Sequence, residues 1–349
     1  MAYTTINKST AHHNTNLFTS NGSQTSQTGL GFQPDWVWNK ARNSSSTHVN
    51  CNSIIGTGKF LSPSNTDAES TATGTVSSFD SDGFTLSADS GGYGNTSGRT
   101  YANWCWKAGG ATGSANTDGS INSTVSVNQT AGFSIVSYTG NGTSGATIGH
   151  GLNAVPKMII TKNRDKSSAS QDWCVYHVSV GANKGMFLNL QNSPDTNAKY
   201  FNNTTPTSSV FTVGDNMGVN NNGDNMIAFC FADVVGYQKF GSYTGNGSTD
   251  GTFVYTGFKP KFVMYKRYSA SGNDWVIVDY KRPGYNVNNL EMYANLTAAE
   301  GTTDLIDTLS NGFKLRRTHA SANDSGSTYL YWAIGQSLVG SNNVPCTSR

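Results

Sequence analysis

Charged residues are scarce in this sequence. Asp, Glu, Lys and Arg make up 13% of its 349 residues, against about 25% in an average soluble protein. The formal net charge is +2 and no basic run is present. Because phosphate binding needs clustered Lys and Arg, nucleic acid is not an expected partner. Ser, Thr, Asn and Gly take the place of the charges, so we expect a polar, nearly neutral surface.

Targeting and metal-binding signals are also missing. No stretch approaches 18 consecutive apolar residues, so no membrane-spanning helix or membrane insertion is predicted. The first residues have neither a charged n-region nor an apolar h-region, and we therefore expect no signal peptide. The five cysteines form no Cys-x-x-Cys or Cys/His cluster of the kind that binds zinc.

One sequence pattern occurs three times along the chain. Residues 100–106, 225–231 and 328–334 align without a gap, and each is rich in aromatic and aliphatic side chains. Upstream of each lies a Pro followed six residues later by a Lys: Pro34 with Lys40, Pro156 with Lys162, and Pro260 with Lys266. A pattern that recurs at this spacing indicates one module copied three times.

Short runs of Val, Ile, Phe, Tyr and Trp between Gly, Asn, Asp and Ser predict strands. Only residues 297–307 read as a helix, and a loop with one turn fits them as well. These features predict an all-β fold of three tandem antiparallel β-sandwiches, each able to bury its own core. The predicted segments are an N-terminal arm at 1–16, sandwiches at 17–110, 132–236 and 237–340, a flexible Gly/Ser/Thr-rich linker at 111–131, and a tail at 341–349.

Three sequence motifs together resemble a known family. They are Tyr-Thr-Gly-Asn-Gly at 138–142, Phe-Lys-Pro-Lys-Phe-Val-Met-Tyr-Lys at 258–266, and Leu-Val-Gly-Ser-Asn-Asn-Val-Pro-Cys at 338–346. The chain resembles, over essentially its whole length, the repeat-built, tail-fibre-like virion proteins of marine tailed bacteriophages. Their copies look like concanavalin A-like (lectin/laminin-G type) jelly-roll domains. The resemblance supplies no established catalytic or ligand residues.

The resemblance implies a virion protein made in the host cytoplasm. Its implied partners are other tail or capsid proteins and host cell-surface carbohydrate. It also implies a homo-oligomer, since phage fibres are commonly trimers.

A mixture of aromatic, basic and acidic residues follows the Pro-to-Lys strand in the second and third copies. Sugar recognition uses an aromatic plate together with donors or carboxylates for the hydroxyls. The alternative is that Trp173 and Trp275 are ordinary core residues of a sandwich. The candidate ligand-binding residues are Lys162, Arg164, Asp165, Trp173, His177, Lys266, Arg267, Trp275, Asp279 and Tyr280.

Neither catalysis nor a cofactor is predicted. A glycosidase needs two carboxylates across the scissile bond, and the only glutamates, Glu69, Glu291 and Glu300, do not match among the copies. Calcium has weak support, because residues 80–83 alternate oxygen donors but lack the rest of a twelve-residue loop. A turn explains these four residues better.

The sequence favours the first of two functions. The first is a tail fibre or receptor-binding appendage that binds host glycans through several weak sites at once. The second is a capsid decoration or head-fibre protein with a purely structural role. The first requires Trp173 and Trp275 to be exposed, whereas the second predicts that they are buried.

Overall fold

The computed structural model describes residues 4–168 and 170–339. Within these residues the protein is all-β, and its strands pair antiparallel in every ladder between them. The few helical residues form a 3-10 turn at Ser9–Ala11 and the helix α1 (Met217–Asn220). None of the helices described is long and apolar enough to cross a membrane.

The strands follow the three repeats. The first repeat contains β1 (His13–Thr19), β2 (Thr25–Gln27), β3 (Trp36–Ala41), β4 (Val49–Asn52), β5 (Lys59–Phe60), β6 (Ser70–Thr71), β7 (Val76–Asp80), β8 (Gly83–Leu86) and β9 (Thr100–Trp106). The second contains β10 (Ser114–Asn116), β11 (Ser123–Asn128), β12 (Phe133–Thr139), β13 (Ala146–Gly149), β14 (Met158–Asn163), β15 (Cys174–His177), β16 (Lys184–Phe187), β17 (Asp195–Thr196), β18 (Val210–Val213) and β19 (Asn225–Phe231). The third contains β20 (Gln238–Thr244), β21 (Phe253–Tyr255), β22 (Lys259–Arg267), β23 (Val276–Asp279), β24 (Asn288–Tyr293), β25 (Gly301–Leu309), β26 (Gly312–Leu315) and β27 (Thr328–Gln336).

Each repeat builds a main sheet in the same strand order. The orders are β1-β9-β3-β4, β12-β19-β14-β15 and β20-β27-β22-β23. The last strand of every repeat therefore lies inside its sheet, between the Pro-to-Lys strand on one side and β1, β12 or β20 on the other. Trp104, Phe229 and Trp332 occupy the same place on these strands, opposite residues 38, 160 and 264 respectively.

Alternate residues of the main sheets point to two different cores. On β19, Ile227, Phe229 and Phe231 belong to one cluster, while Met226, Ala228 and Cys230 belong to another. A strand buried on both faces reads as a continuous apolar run rather than as an alternation of apolar and polar residues. This explains why residues 225–231 and their counterparts are so uniformly hydrophobic.

The first of these clusters is a shared core to which all three repeats contribute. Aromatic rings from different repeats touch there, for example Trp36 with Phe229 (4.5 Å between ring centroids) and Phe231 with Trp332 (4.4 Å). The principal members of the shared core are Trp36, Trp38, Trp104, Trp106, Phe133, Ile160, Trp173, Phe229, Phe231, Phe262, Met264, Trp275, Trp332 and Ile334.

The opposite face of each main sheet packs in an outer core of its own repeat. The outer cores are centred on Phe84 in the first repeat, Phe211 in the second and Phe313 in the third. The separate small sheets β2-β8-β7 and β13-β18 complete the first two, and in the third repeat β25-β26-β21 continue the main sheet through β24. Two antiparallel layers per repeat give a sandwich arrangement. We predicted that each of the three modules buries only its own core. Each does have an outer core, but the main sheets also enclose the shared core.

Residues 111–131 are not the linker that their composition predicts. They contain β10 and β11, and β11 pairs with β12 along its whole length, from Ser123 opposite Tyr138 to Asn128 opposite Phe133. Val125 is buried in the second outer core. Ser126 of the same strand is buried as well, and its Oγ accepts from the backbone N–H of Gly109 at 2.9 Å.

Two other segments also differ from prediction. The predicted arm at 1–16 contains the start of β1, and the backbone N–H of Ser9 donates to Oε1 of Gln336 in the third repeat at 2.6 Å. Residues 297–307 contain the first part of β25 instead of a helix. The predicted tail at 341–349 lies outside the described residues.

Candidate functional site at the repeat interfaces

The three repeated lysines bridge neighbouring repeats. Each is fully buried, and each ammonium donates to a carbonyl oxygen of another repeat. Lys40 Nζ lies 3.2 Å from Thr297 O, Lys162 Nζ lies 3.1 Å from Thr66 O, and Lys266 Nζ lies 3.4 Å from Leu190 O. The contacts run from the first repeat to the third, from the second to the first, and from the third to the second. They close a ring.

The two candidate tryptophans make the same kind of bridge. Trp173 Nε1 donates to Ser62 O and Trp275 Nε1 donates to Phe187 O, both at 2.8 Å. Both side chains are 0% exposed. The exposure that a sugar-binding plate requires is therefore absent, and the core alternative describes these residues correctly.

The first repeat fills the tryptophan position with His48. This residue precedes β4 as Trp173 precedes β15 and Trp275 precedes β23. Its Nε2 lies 2.9 Å from Tyr293 O and 3.0 Å from Leu296 O, both in the third repeat, while Trp38 Nε1 donates to its Nδ1 at 2.8 Å. Because Nε2 faces two carbonyl oxygens and Nδ1 accepts, the proton is on Nε2.

Burial shifts the pKa values of these bridging groups. It lowers the pKa of Lys40, Lys162 and Lys266 to about 8 each. It also lowers the pKa of His48 to about 3, with the nearby Lys40 charge adding to the effect. Desolvation disfavours the charged form of a base, which is the sign of both shifts. His48 is therefore neutral at pH 7.

A buried ion-pair network joins the third repeat to the first. Arg282 contacts Asp279 at 2.5 Å and Glu300 at 2.8 Å, and Glu300 also pairs with Arg42 at 2.9 Å. Trp104 Nε1 donates to Asp279 at 2.9 Å. The candidate Asp279 is thus a partner of Arg282 and Trp104, and its carboxylate is not available to a ligand.

The remaining candidates of the second repeat also contact protein groups. Arg164 Nε pairs with Glu69 of the first repeat at 2.7 Å, and His177 Nε2 lies 3.2 Å from Tyr331 O of the third. The exposed Asp165 accepts from the backbone N–H of Asn225 at 2.6 Å.

In the third repeat, two candidates lie near the surface and apart from Trp275. Arg267 pairs with Asp324 at 3.3 Å. Tyr280 is half-buried and lies under the ammonium of Lys259, 4.5 Å from the ring centroid. The ten candidates therefore do not converge on one ligand site in either repeat.

Acidic groups are engaged in the same way. Glu69, Glu291 and Glu300 each pair with an arginine, at 2.7, 3.4 and 2.8 Å. Among the described residues, no group of three or more His, Cys, Asp or Glu could hold a metal ion. Each of the three glutamates therefore has an arginine partner.

A surface groove that the sequence did not indicate lies where the second and third repeats meet. It has a volume of about 330 Å³ and is lined by the turn at 233–238 and by residues 255–257. Tyr255 is 59% exposed there, and the ammonium of Lys239 lies 5.1 Å from its ring centroid. No repeated motif marks these residues, since the corresponding loops differ among the copies.

Fold and interfaces together define an all-β protein in which three sandwich-like repeats enclose one core. A family model matches residues 8–337, and the chain belongs to that family, described as "Domain of unknown function (DUF7483)". Neither the comparison with curated proteins nor the comparison with solved structures finds a match.

Proposed function

We propose that this protein is a non-enzymatic structural component of a tailed-bacteriophage particle. One observation carries the structural part of the proposal: the repeated lysines, Trp173, Trp275 and His48 all hold the repeats to one another. Buried side chains that bond to another repeat in all three copies serve rigidity, not ligand binding. The particle context rests on the resemblance to tail-fibre-like virion proteins.

Two finer points belong to the same proposal. Each repeat is a concanavalin A-like jelly-roll, for which the two-layered antiparallel sheets are the support. The role is capsid decoration or a fibre-like appendage, in which a stiff body presents loops to other virion proteins. Engagement of all three glutamates with arginines supports the absence of glycosidase chemistry, because hydrolysis needs an acid and a base free to exchange protons.

Localisation in particles tests the proposal. We expect mass spectrometry of purified particles to find the chain at a fixed copy number. Antibodies against the full chain should label one place, either the capsid or the tail. Absence of the chain from purified particles, with the protein present in the infected-cell lysate, would contradict a structural role.

Host-glycan binding is a second candidate, and it depends on the groove beside Tyr255. An exposed aromatic ring next to Lys239 and Asp233 combines a plate for a sugar face with polar partners for hydroxyls. Several such weak contacts, presented on one particle, raise avidity without any new contact type.

A glycan array of the full chain tests this second function. Tyr255→Ala should remove the signal, whereas Tyr285→Ala, at another exposed tyrosine (62%), should retain it. Both substitutions lie at the surface and should change the free energy of unfolding by less than about 0.5 kcal/mol. Equal signals from the two variants would exclude the groove as a sugar site.

A further inference from the structure

A cleft between β1 and β22 gathers positive charge in a chain that has little charge elsewhere. Its volume is about 190 Å³. Lys261 and Lys281 line it, and Lys259 lies at its edge above the ring of Tyr280, a lining residue. The full lining consists of Thr10, His13, Asn14, Thr15, Lys261, Tyr280 and Lys281.

These lysines have no negative partner within the described part of the chain. No Asp or Glu lines the cleft, and none of the ion pairs there includes Lys259, Lys261 or Lys281. Lys261 makes one long hydrogen bond, from Nζ to Ser9 Oγ at 3.4 Å. Burial lowers the pKa of Lys261, and the charges of Lys259 and Lys281 lower it further. Like charges held together in this way favour binding of an anion.

A second observation comes from His13. Its side chain lines the cleft and the residue is only 5% exposed, yet Nε2 has no hydrogen-bond partner. Its ring is fixed by Trp106 (4.8 Å between centroids) and Phe262 (5.5 Å). Of the buried side-chain nitrogen and oxygen atoms without a partner in the described residues, His13 Nε2 is the one that belongs to a residue lining this cleft.

The equivalent positions in the second repeat show that this arrangement is particular to the cleft. Lys157 follows Pro156 as Lys261 follows Pro260, but Lys157 lies close enough to Asp233 for their charges to interact. His13 stands opposite Trp106 on the neighbouring strand as Phe133 stands opposite Phe231. The second repeat therefore has an acid near its lysine and a purely apolar ring in place of the histidine.

We propose that the cleft binds a compact oxyanion, a phosphate or sulfate group, through Lys261, Lys281 and His13. Its volume is below the roughly 300 to 1,000 Å³ of sites for drug-sized ligands, so it accommodates one ionic group and not an extended chain. Thr15 and Tyr280, two further lining residues, each carry a hydroxyl group. The proposal goes beyond the particle role and stands or falls independently of it.

Isothermal titration of the full chain with inorganic phosphate and with sulfate tests the site directly. Saturable binding is expected for at least one of the two anions. Lys261→Gln and Lys281→Gln should each weaken it about tenfold, the effect of losing one charge-assisted hydrogen bond. His13→Phe, which installs the residue found in the second repeat, should also weaken it while keeping the ring in place.

Lys157→Gln is the matched control, because it changes the equivalent lysine of the second repeat. It should leave the affinity unchanged. The proposal is overturned if neither anion binds saturably to the wild-type chain. It is also overturned if Lys157→Gln weakens binding as much as Lys261→Gln does, since the anion would then respond only to net charge.

The source of the oxyanion is distinguished by a second titration with glucose 6-phosphate, glucose 6-sulfate and glucose. An ester that binds more tightly than the free ion identifies a charged saccharide, and equal affinities identify the free ion; both results support the site. Binding of uncharged glucose with the same affinity as its esters would contradict it.

Discussion

At the scale of single residues, position 48 shows that one structural role admits different side chains. Trp173 and Trp275 each donate one N–H to a carbonyl of the preceding repeat, and His48 of the first repeat donates with Nε2 to a carbonyl of the third. From sequence the first copy simply lacked the tryptophan. The equivalence of His48 is visible only from the strand register, because loops of different length separate it from the repeated lysine.

The neutral state of His48 predicts acid sensitivity. Folding lowers its pKa to about 3, chiefly through burial, so below pH 6.5 the unfolded chain takes up a proton that the folded chain refuses. The stabilising contribution is present above pH 6.5 and is lost as the pH falls toward 3. Between pH 7 and pH 5 the contribution of His48 to the free energy of unfolding falls by about 2 kcal/mol.

Urea unfolding at pH 7 and pH 5 measures this effect. His48→Gln keeps a donor and an acceptor but does not titrate, so the loss of stability between the two pH values should be about 2 kcal/mol smaller than in the wild type. His319→Gln, at an exposed histidine, should leave the loss unchanged. The same loss in all three proteins would show that His48 takes up a proton in the folded chain.

Lys266 predicts the same trend, a stability that rises with pH, in a higher pH range. Burial lowers its pKa to about 8, so between pH 8 and pH 10.5 the unfolded chain binds more protons and stability rises with pH. From pH 7 to pH 9 the wild type should gain about 1 kcal/mol relative to Lys266→Met. Unfolding at several pH values gives this difference, and Lys184→Met, at a partly exposed lysine on β16, is the control with a flat difference.

At the scale of strands and loops, residue type predicted the buried strands well and the polar edge strands poorly. The apolar run at 210–213 forms β18, and the repeated run at 225–231 forms β19. These strands are buried, so they had to be apolar. The strands β10 and β11 lie at one end of the main sheet of the second repeat, where Ser, Thr and Asn suffice, and their composition is that of a linker.

The same limit applies to the predicted sugar site. The local sequence around a tryptophan with nearby lysines and acids is the same whether that tryptophan faces solvent or a neighbouring repeat. Trp275 is buried in the shared core, where its Nε1 donates to the Phe187 carbonyl of the second repeat, and no local sequence contains that information. The triplication was readable from the sequence, but the packing of the three copies around Trp36, Phe229 and Trp332 was not.

The strand β11 provides a test of its own. Val125→Asp places a carboxylate in the second outer core and should lower the free energy of unfolding by about 2 to 5 kcal/mol. Asn122→Asp, at an exposed neighbouring position, should change it by less than about 0.5 kcal/mol. Denaturant unfolding of the two variants compares them, and a flexible linker would leave both neutral.

At the scale of the whole molecule, the shared core makes the three repeats one cooperative structure. Threefold packing of this kind usually arises when separate chains associate through equal surfaces, whereas here three copies within one chain provide it. Lys40, Lys162 and Lys266 then lie at three equivalent interfaces, and each repeat depends on the next. Loss of any repeat would expose apolar surface of the other two.

This arrangement predicts a single unfolding transition. The ring centroid of Trp332 lies 4.4 Å from that of Phe231 in the second repeat and 5.6 Å from that of Trp106 in the first. Trp332→Ala should therefore cost about 3 to 5 kcal/mol and lower one common melting transition, with equal calorimetric and van't Hoff enthalpies. Hydrogen exchange should accelerate in β9 and β19 as much as in β27, because opening is global. Three independent sandwiches would instead give a separate early transition for the third repeat, with exchange in β9 and β19 unchanged, and that result would show that the shared core does not couple the repeats.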